Sequence, residues 1–163
     1  MKRRFALILL LLPLTGALRE SPAQTSLSTR AMVRFVAVDV MIDPHGKPLA
    51  CYQLEISATT QNTKLVGIEG GEHPAYEDAP YYDPRALMGR RIILGAFNTG
   101  TSLPTSATRV ATLMFRVEGH IEPQYQTQLQ VAATSDASAI EAAVSLRPQG
   151  PIGATNASQG APR

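Results

Sequence analysis

Apolar residues recur at every second position in one stretch after another of this 163-residue chain. That period puts successive side chains on opposite faces of an extended strand and is incompatible with a helix. In residues 32–42 (MVRFVAVDVMI), Val36, Val38, Val40 and Ile42 share one face. In residues 49–58, Tyr52, Leu54, Ile56 and Ala58 point one way, and Cys51, Gln53, Glu55 and Ser57 the other. Residues 65–68 form a short strand and residues 91–97 (RIILGAF) another. Alternation continues through 109–117, with Ala111, Leu113, Phe115 and Val117 together. In 128–134, Leu129, Val131 and Ala133 share a face, and in 140–146 Ile140, Ala142, Val144 and Leu146 do. Pro- and Gly-bearing turns such as 43–48 (DPHGKP) separate these runs. Seven or more short strands with turn signals between them predict an all-β chain: an antiparallel β-sandwich of jelly-roll type.

The core of such a sandwich must hold unaided. Cys51 is the single cysteine, so no intramolecular disulfide and no Cys-rich zinc site can form. At 44% hydrophobic residues the composition can supply a core, and the length suits one domain.

The ends read differently. Lys2-Arg3-Arg4, then the apolar run 5–14 (FALILLLLPL), then small residues at 15–17 and 21–23, have the layout of a secretory signal peptide. The run is about half the ~20 residues that a membrane span needs. Residues 1–23 are therefore expected to be cleaved, after Ala23 or alternatively after Ala17, leaving no membrane span and placing the chain in the periplasm, at the cell surface or in the medium. Residues 24–30 form a leader. From Pro148 the composition turns to Pro, Gly and small residues (PQGPIGATNASQGAPR), and 148–163 is expected to be a disordered tail. The folded domain is then 31–147.

This division settles the charge. The formal net charge is +2. Four of the 15 basic residues (Lys2, Arg3, Arg4, Arg19) and one of the 13 acids (Glu20) lie in the first twenty positions, which leaves 11 basic against 12 acidic residues. A chain without that segment has no cationic excess to track phosphates, and nucleic acid is excluded as the expected partner.

Three stretches resemble a cohesin domain, from the superfamily that also holds cellulose-binding modules. They are residues 33–42 with the Gly46-Lys47 turn and Leu49-Ala50-Cys51-Tyr52-Gln53-Leu54; Leu65-Val66-Gly67-Ile68-Glu69-Gly70-Gly71; and 92–98 followed by Val110-Ala111-Thr112-Leu113-Met114-Phe115-Arg116-Val117. The resemblance covers about residues 32–147. It implies a non-catalytic module that binds an extracellular protein, dockerin-like or of another kind. At the end of the second strand, Ser57-Ala58-Thr59-Thr60 stands where the family carries an aromatic residue followed by Asp-Pro. The wider superfamily implies the alternative, polysaccharide binding; a structural cell-surface component and a small secreted hydrolase stand behind these as further readings.

The segment 72–85 (EHPAYEDAPYYDPR) carries the candidate site: His73, Tyr76, Asp78, Tyr81, Tyr82, Asp83 and Arg85. Tyr76, Tyr81 and Tyr82 offer flat apolar faces with polar tips, suited to sugar stacking or to a protein hot spot. The same tyrosines and prolines can equally close a small core beneath the loop. Asp83 before Pro84 is a capping pair, so one helical turn is expected there. Glu72, Glu77, Asp78 and Asp83 bring oxygen ligands, but no Asp-x-Asp-x-Asp-Gly loop accompanies them, and no metal or cofactor is expected. His45, His73 and His120 are widely spaced turn residues. No Gly-x-Ser-x-Gly elbow is present and the domain is small for a walled two-carboxylate cleft, so no catalytic residues are expected.

Overall fold

A computed structural model describes residues 32–151. The expected signal peptide and leader lie outside the described residues, as does the tail from Ile152 onward.

The described chain is all-β. Its seven strands are β1 (Val33–Asp43), β2 (Cys51–Ala58), β3 (Thr63–Gly70), β4 (Arg91–Phe97), β5 (Thr108–Glu118), β6 (Tyr125–Ala133) and β7 (Ala143–Pro151). They form two sheets, ordered β3-β5-β1-β7 and β4-β2-β6. Every pairing is antiparallel. The inner faces share one hydrophobic cluster, so the arrangement is sandwich-like. Val36, Val38, Val40 and Ile42 of β1 and Leu113, Phe115 and Val117 of β5 meet Tyr52, Leu54 and Ile56 of β2 and Ile92 and Leu94 of β4. These are the residues whose alternation marks an inward face, and each is almost fully buried.

Two expectations are corrected. The first concerns β6. A bulge between Gln53 and Leu54 pairs Leu54 with Leu129 but Gln53 with Val131, leaving Gln130 as the extra residue. One extra residue exchanges the faces of everything beyond it. Leu129 therefore packs on the core, Val131 is exposed, and Ala132 is buried in its place.

The second concerns the C-terminal boundary. The last strand starts at Ala143, not Ile140, and runs through Pro151, so four residues assigned to the tail belong to the sheet. Composition argued against order there because the segment has little to bury. An edge strand needs only a main-chain partner, and β1 supplies it: Val38 is opposite Pro148 and Val36 opposite Pro151. Proline is tolerated at such an edge because one side of the strand donates to nothing. Gln149 adds a side-chain anchor, its Nε2 donating to both carboxylate oxygens of Asp39 at 2.9 and 2.8 Å. Ile140 is still buried, held by its N–H donating to the Ala132 carbonyl at 2.8 Å.

Candidate functional site

The 72–85 loop is pinned to the sandwich from its root. Gly70 and Gly71 open it, and both are there for space. A Cβ on Gly70 would lie 1.8 Å from the Glu77 carbonyl oxygen, and one on Gly71 2.2 Å from the Arg109 carbonyl oxygen. Only glycine lets the loop fold back this closely. The Glu72 carboxylate then accepts from the Arg109 N–H at 3.0 Å, while the Glu72 N–H donates to the Arg109 carbonyl at 3.0 Å.

Two short 3-10 turns follow, at Pro74–Tyr76 and Pro84–Ala86. The second matches the capping pair in the sequence: Asp83 Oδ1 accepts from the Arg85 N–H at 2.9 Å. The first repeats the device with His73, whose Nδ1 accepts from the Ala75 N–H at 3.1 Å. His73 and Asp83 thus satisfy main-chain donors that a helix start leaves unpaired.

The three tyrosines go three ways. Tyr76 is 3% exposed. Its ring meets Tyr52 edge-on at 5.3 Å, and its hydroxyl donates to the buried Leu49 carbonyl at 2.8 Å. Burial pushes the Tyr76 phenol well above its ordinary range. Tyr76 is therefore a core residue and leaves the candidate surface. Tyr82 is half-buried against the same core. Tyr81 alone stands out, 72% exposed. The expected platform of three tyrosines is not assembled.

Tyr81 acquires a different partner. Its N–H donates to the Gly95 carbonyl at 2.7 Å and its carbonyl accepts from the Gly95 N–H at 3.0 Å. This two-way bridge adds the loop to the edge of β4, and it fixes the face on which the ring lies. Tyr81 is opposite Gly95, Gly95 opposite Gln53, and Gln53 opposite Val131, so these four form one row across the outer face of the β4-β2-β6 sheet. The next row holds Phe97 and Cys51, and the row on the other side holds Ile93, Glu55 and Gln128. The Tyr81 and Phe97 rings stack nearly parallel, 6.1 Å apart with 10° between their planes. Phe97 is 65% exposed.

The outcome is a flat face with an aromatic ridge at one edge. Gly95 leaves a depression of about 240 Å³ lined by Tyr81, Phe97, Cys51, Gln53 and Val131. A groove of about 200 Å³ continues past the ridge between Asp78, Pro80 and Asn98. Asp78 therefore joins Tyr81, while Asp83 and Arg85 sit at the second 3-10 turn, outside the lining of either groove. Farther along β2, Glu55 holds Arg91 through two hydrogen bonds of 2.5 and 2.6 Å. Hydrogen bonding from Arg91 keeps the Glu55 carboxyl below its usual range, so it is an ionised structural partner rather than a proton donor.

Sequence reasoning found Tyr81 and missed Phe97, Ile93, Val131 and Gly95. The signal that would have found Phe97 and Ile93 is the alternation of residues 91–97, which sets them on the face opposite Ile92 and Leu94, where an apolar side chain is itself a signal. Val131 was hidden by the bulge. Among the described residues, no cluster of three His, Cys, Asp or Glu side chains is placed to hold a metal ion, and no helix is long and apolar enough to cross a membrane. No family model matches the chain, and neither a curated protein nor a solved structure matches it.

Proposed function

We propose that this chain is an exported, non-catalytic module, a jelly-roll sandwich of cohesin-like type, that binds an extracellular protein through the outer face of the β4-β2-β6 sheet. The observation that carries this reading is the exposed stack of Tyr81 on Phe97. Two large rings held out on a rigid sheet, beside Ile93 and Val131, are apolar surface that folding does not use. Gln53, Glu55 and Gln128 on the neighbouring strands supply polar groups along the inner side of this ridge, where a partner's hydrogen-bonding groups can be met. Aromatic side chains on a stiff support lose little entropy on binding.

The face suits a protein better than a sugar chain. The depression beside Tyr81 and Phe97 is lined mainly by apolar groups and offers few of the hydrogen-bonding side chains that sugar hydroxyls would need. The test is capture from the extracytoplasmic fraction of the producing cell, with the wild-type chain beside Tyr81→Ala and Phe97→Ala. Both side chains are exposed, so the double variant should keep its thermal midpoint and lose the captured protein. Capture that survives the double substitution defeats the reading. Retention of the wild type on insoluble polysaccharide, lost in the double variant, would replace it with the sugar-binding alternative.

A further inference from the structure

The two sheets have four outer edges, and three carry a blocking device. The edge of β4 is occupied by the Tyr81–Gly95 bridge. At the edge of β3, Met88 donates to the Leu65 carbonyl at 2.7 Å and Leu65 donates to the Gly89 carbonyl at 2.9 Å. The β7 edge contains Arg147, Pro148 and Pro151. Charges, prolines and covering loops are the standard defences against edge pairing.

Among the described residues, β6 has none of these over its first half. Its far end is covered, since Ala133 bridges Ala139 and the Ala132 carbonyl accepts from Ile140. Among the described residues, nothing continues the sheet beyond β6 from Tyr125 to Leu129. The hydrogen-bond phase shows which groups are left over. Thr59 N–H donates to the Gln124 carbonyl directly opposite, and Ala58 donates away from β6, to Arg90. Pairing alternates along an antiparallel ladder, so Gln126 and Gln128 turn their main-chain groups toward β2, and Tyr125, Thr127 and Leu129 turn theirs outward. Thr127 also faces an open groove with Leu146 and Pro148 at the seam between the sheets.

β6 (YQTQLQVAA) is also the only one of the seven strands without an Asp, Glu, Lys or Arg. Neutrality suits pairing with a second copy. In a symmetric edge pair the residue on the two-fold axis meets its own copy and the two beside it face each other's copies, so charges of one sign there would repel. We propose that β6 is a dimerisation edge and that its occupant is β6 of a second copy of this chain. Centred on Thr127, the antiparallel register places Thr127 opposite the second copy's Thr127, Gln126 opposite its Gln128, and Tyr125 opposite its Leu129. The outward main-chain groups then form about six inter-strand hydrogen bonds. The glutamines meet as amide pairs on the outer face, and Tyr125 and Leu129 cover each other over the seam. The product is one continuous six-stranded sheet with both Tyr81–Phe97 ridges on the same surface, which makes the binding face bivalent.

Sedimentation equilibrium of the purified chain from about 1 to 200 µM tests this, the range spanning small, reversible interfaces. The expected result is a monomer–dimer equilibrium. Thr127→Pro removes the central outward N–H and spares the β2 ladder. The pair Gln126→Lys with Gln128→Lys changes only exposed side chains and covers the case in which the proline variant does not fold. Each should raise the dimer dissociation constant at least about tenfold through a lost donor or facing like charges. Mixing the lysine pair with the corresponding Gln126→Glu and Gln128→Glu pair should restore association as a heterodimer. A wild type that stays monomeric throughout the range overturns the proposal. So does a dimer that the lysine pair leaves intact, or a lysine–glutamate mixture that does not associate.

Discussion

Replacing Tyr76 with Phe removes one oxygen atom, and the structure states where the loss falls. The hydroxyl donates to the Leu49 carbonyl at 2.8 Å in a site where Tyr76 is 3% exposed and Leu49 fully buried. The substitution leaves that carbonyl without its donor, in a place water does not reach. An orphaned buried group of this kind costs about 1–3 kcal/mol. The ring still fills its place against Tyr52, so no cavity contribution is added. At about 4 °C per kcal/mol for a domain of this size, the thermal midpoint should fall by roughly 4–12 °C. Tyr76→Ala empties the site as well and should cost about 3–5 kcal/mol, the usual penalty for deleting a buried aromatic ring. Urea unfolding followed by tyrosine fluorescence gives both values as shifts in midpoint, with the slope unchanged for Tyr76→Phe because the exposed surface is the same. In the extracytoplasmic capture assay, folded Tyr76→Phe should retain full binding. A midpoint within ~0.3 kcal/mol of wild type, together with lost capture, would refute the argument. Tyr76 would then be a contact residue of the loop and not part of the core.

Gly70→Ala puts a Cβ 1.8 Å from a main-chain oxygen, which cannot yield as a flexible side chain would. The Glu77–Asp78 stretch of the loop must move off the end of β3, and a loss of roughly 3 kcal/mol or more is expected by thermal melting. An unchanged midpoint would show that the loop is not seated there. Gly95→Val is the contrast: its Cβ finds only the Tyr52 carbonyl oxygen at 3.7 Å, an ordinary contact. A β-branched residue suits the strand, so stability should change by less than about 1 kcal/mol while the filled depression abolishes capture. Retained capture would move the site off this face. Burial raises the phenols of Tyr52, Tyr76 and Tyr125, that of Tyr125 to about 12. Raised folded values mean that their contribution is present below the unfolded value near 10 and is lost as pH climbs through the folded ones. Stability should therefore fall above about pH 10, and Tyr125→Phe, whose hydroxyl has no partner among the described residues, should be neutral at pH 7 and lessen that fall. The Asp39 carboxyl is raised by burial, but hydrogen bonds from Gln149 and Thr112 and the charge of Arg109 prevail and lower it. Its contribution exists above the unfolded value near 4 and disappears as pH drops through the folded one, so Asp39→Asn should flatten the acid side of the stability curve.

Sequence alone determined that the described chain is all-β and which faces of its strands turn inward, because the information needed is local, whereas the order of the strands in the two sheets came from the tertiary structure. Alternation at 36–42, 52–58 and 111–117 separates inward from outward faces without reference to any other segment, and Asp83-Pro84 specifies its own turn. The boundary at 148 was not legible, since the order of Pro148–Pro151 is borrowed from β1 through main-chain pairing. Nor was the face of Val131, which depends on a bulge between two strands some seventy residues apart in the chain. The site was half legible for the same reason. That residues 72–85 carry unusual aromatics is written in the sequence. Which of Tyr76, Tyr81 and Tyr82 faces the solvent depends on how tightly Gly70 and Gly71 let the loop turn and on the bridge from Tyr81 to Gly95. A side chain's identity states what chemistry it brings. Whether that chemistry is spent on the core or offered to a partner is decided by what packs against it, and only the tertiary structure brings Phe97 beneath Tyr81.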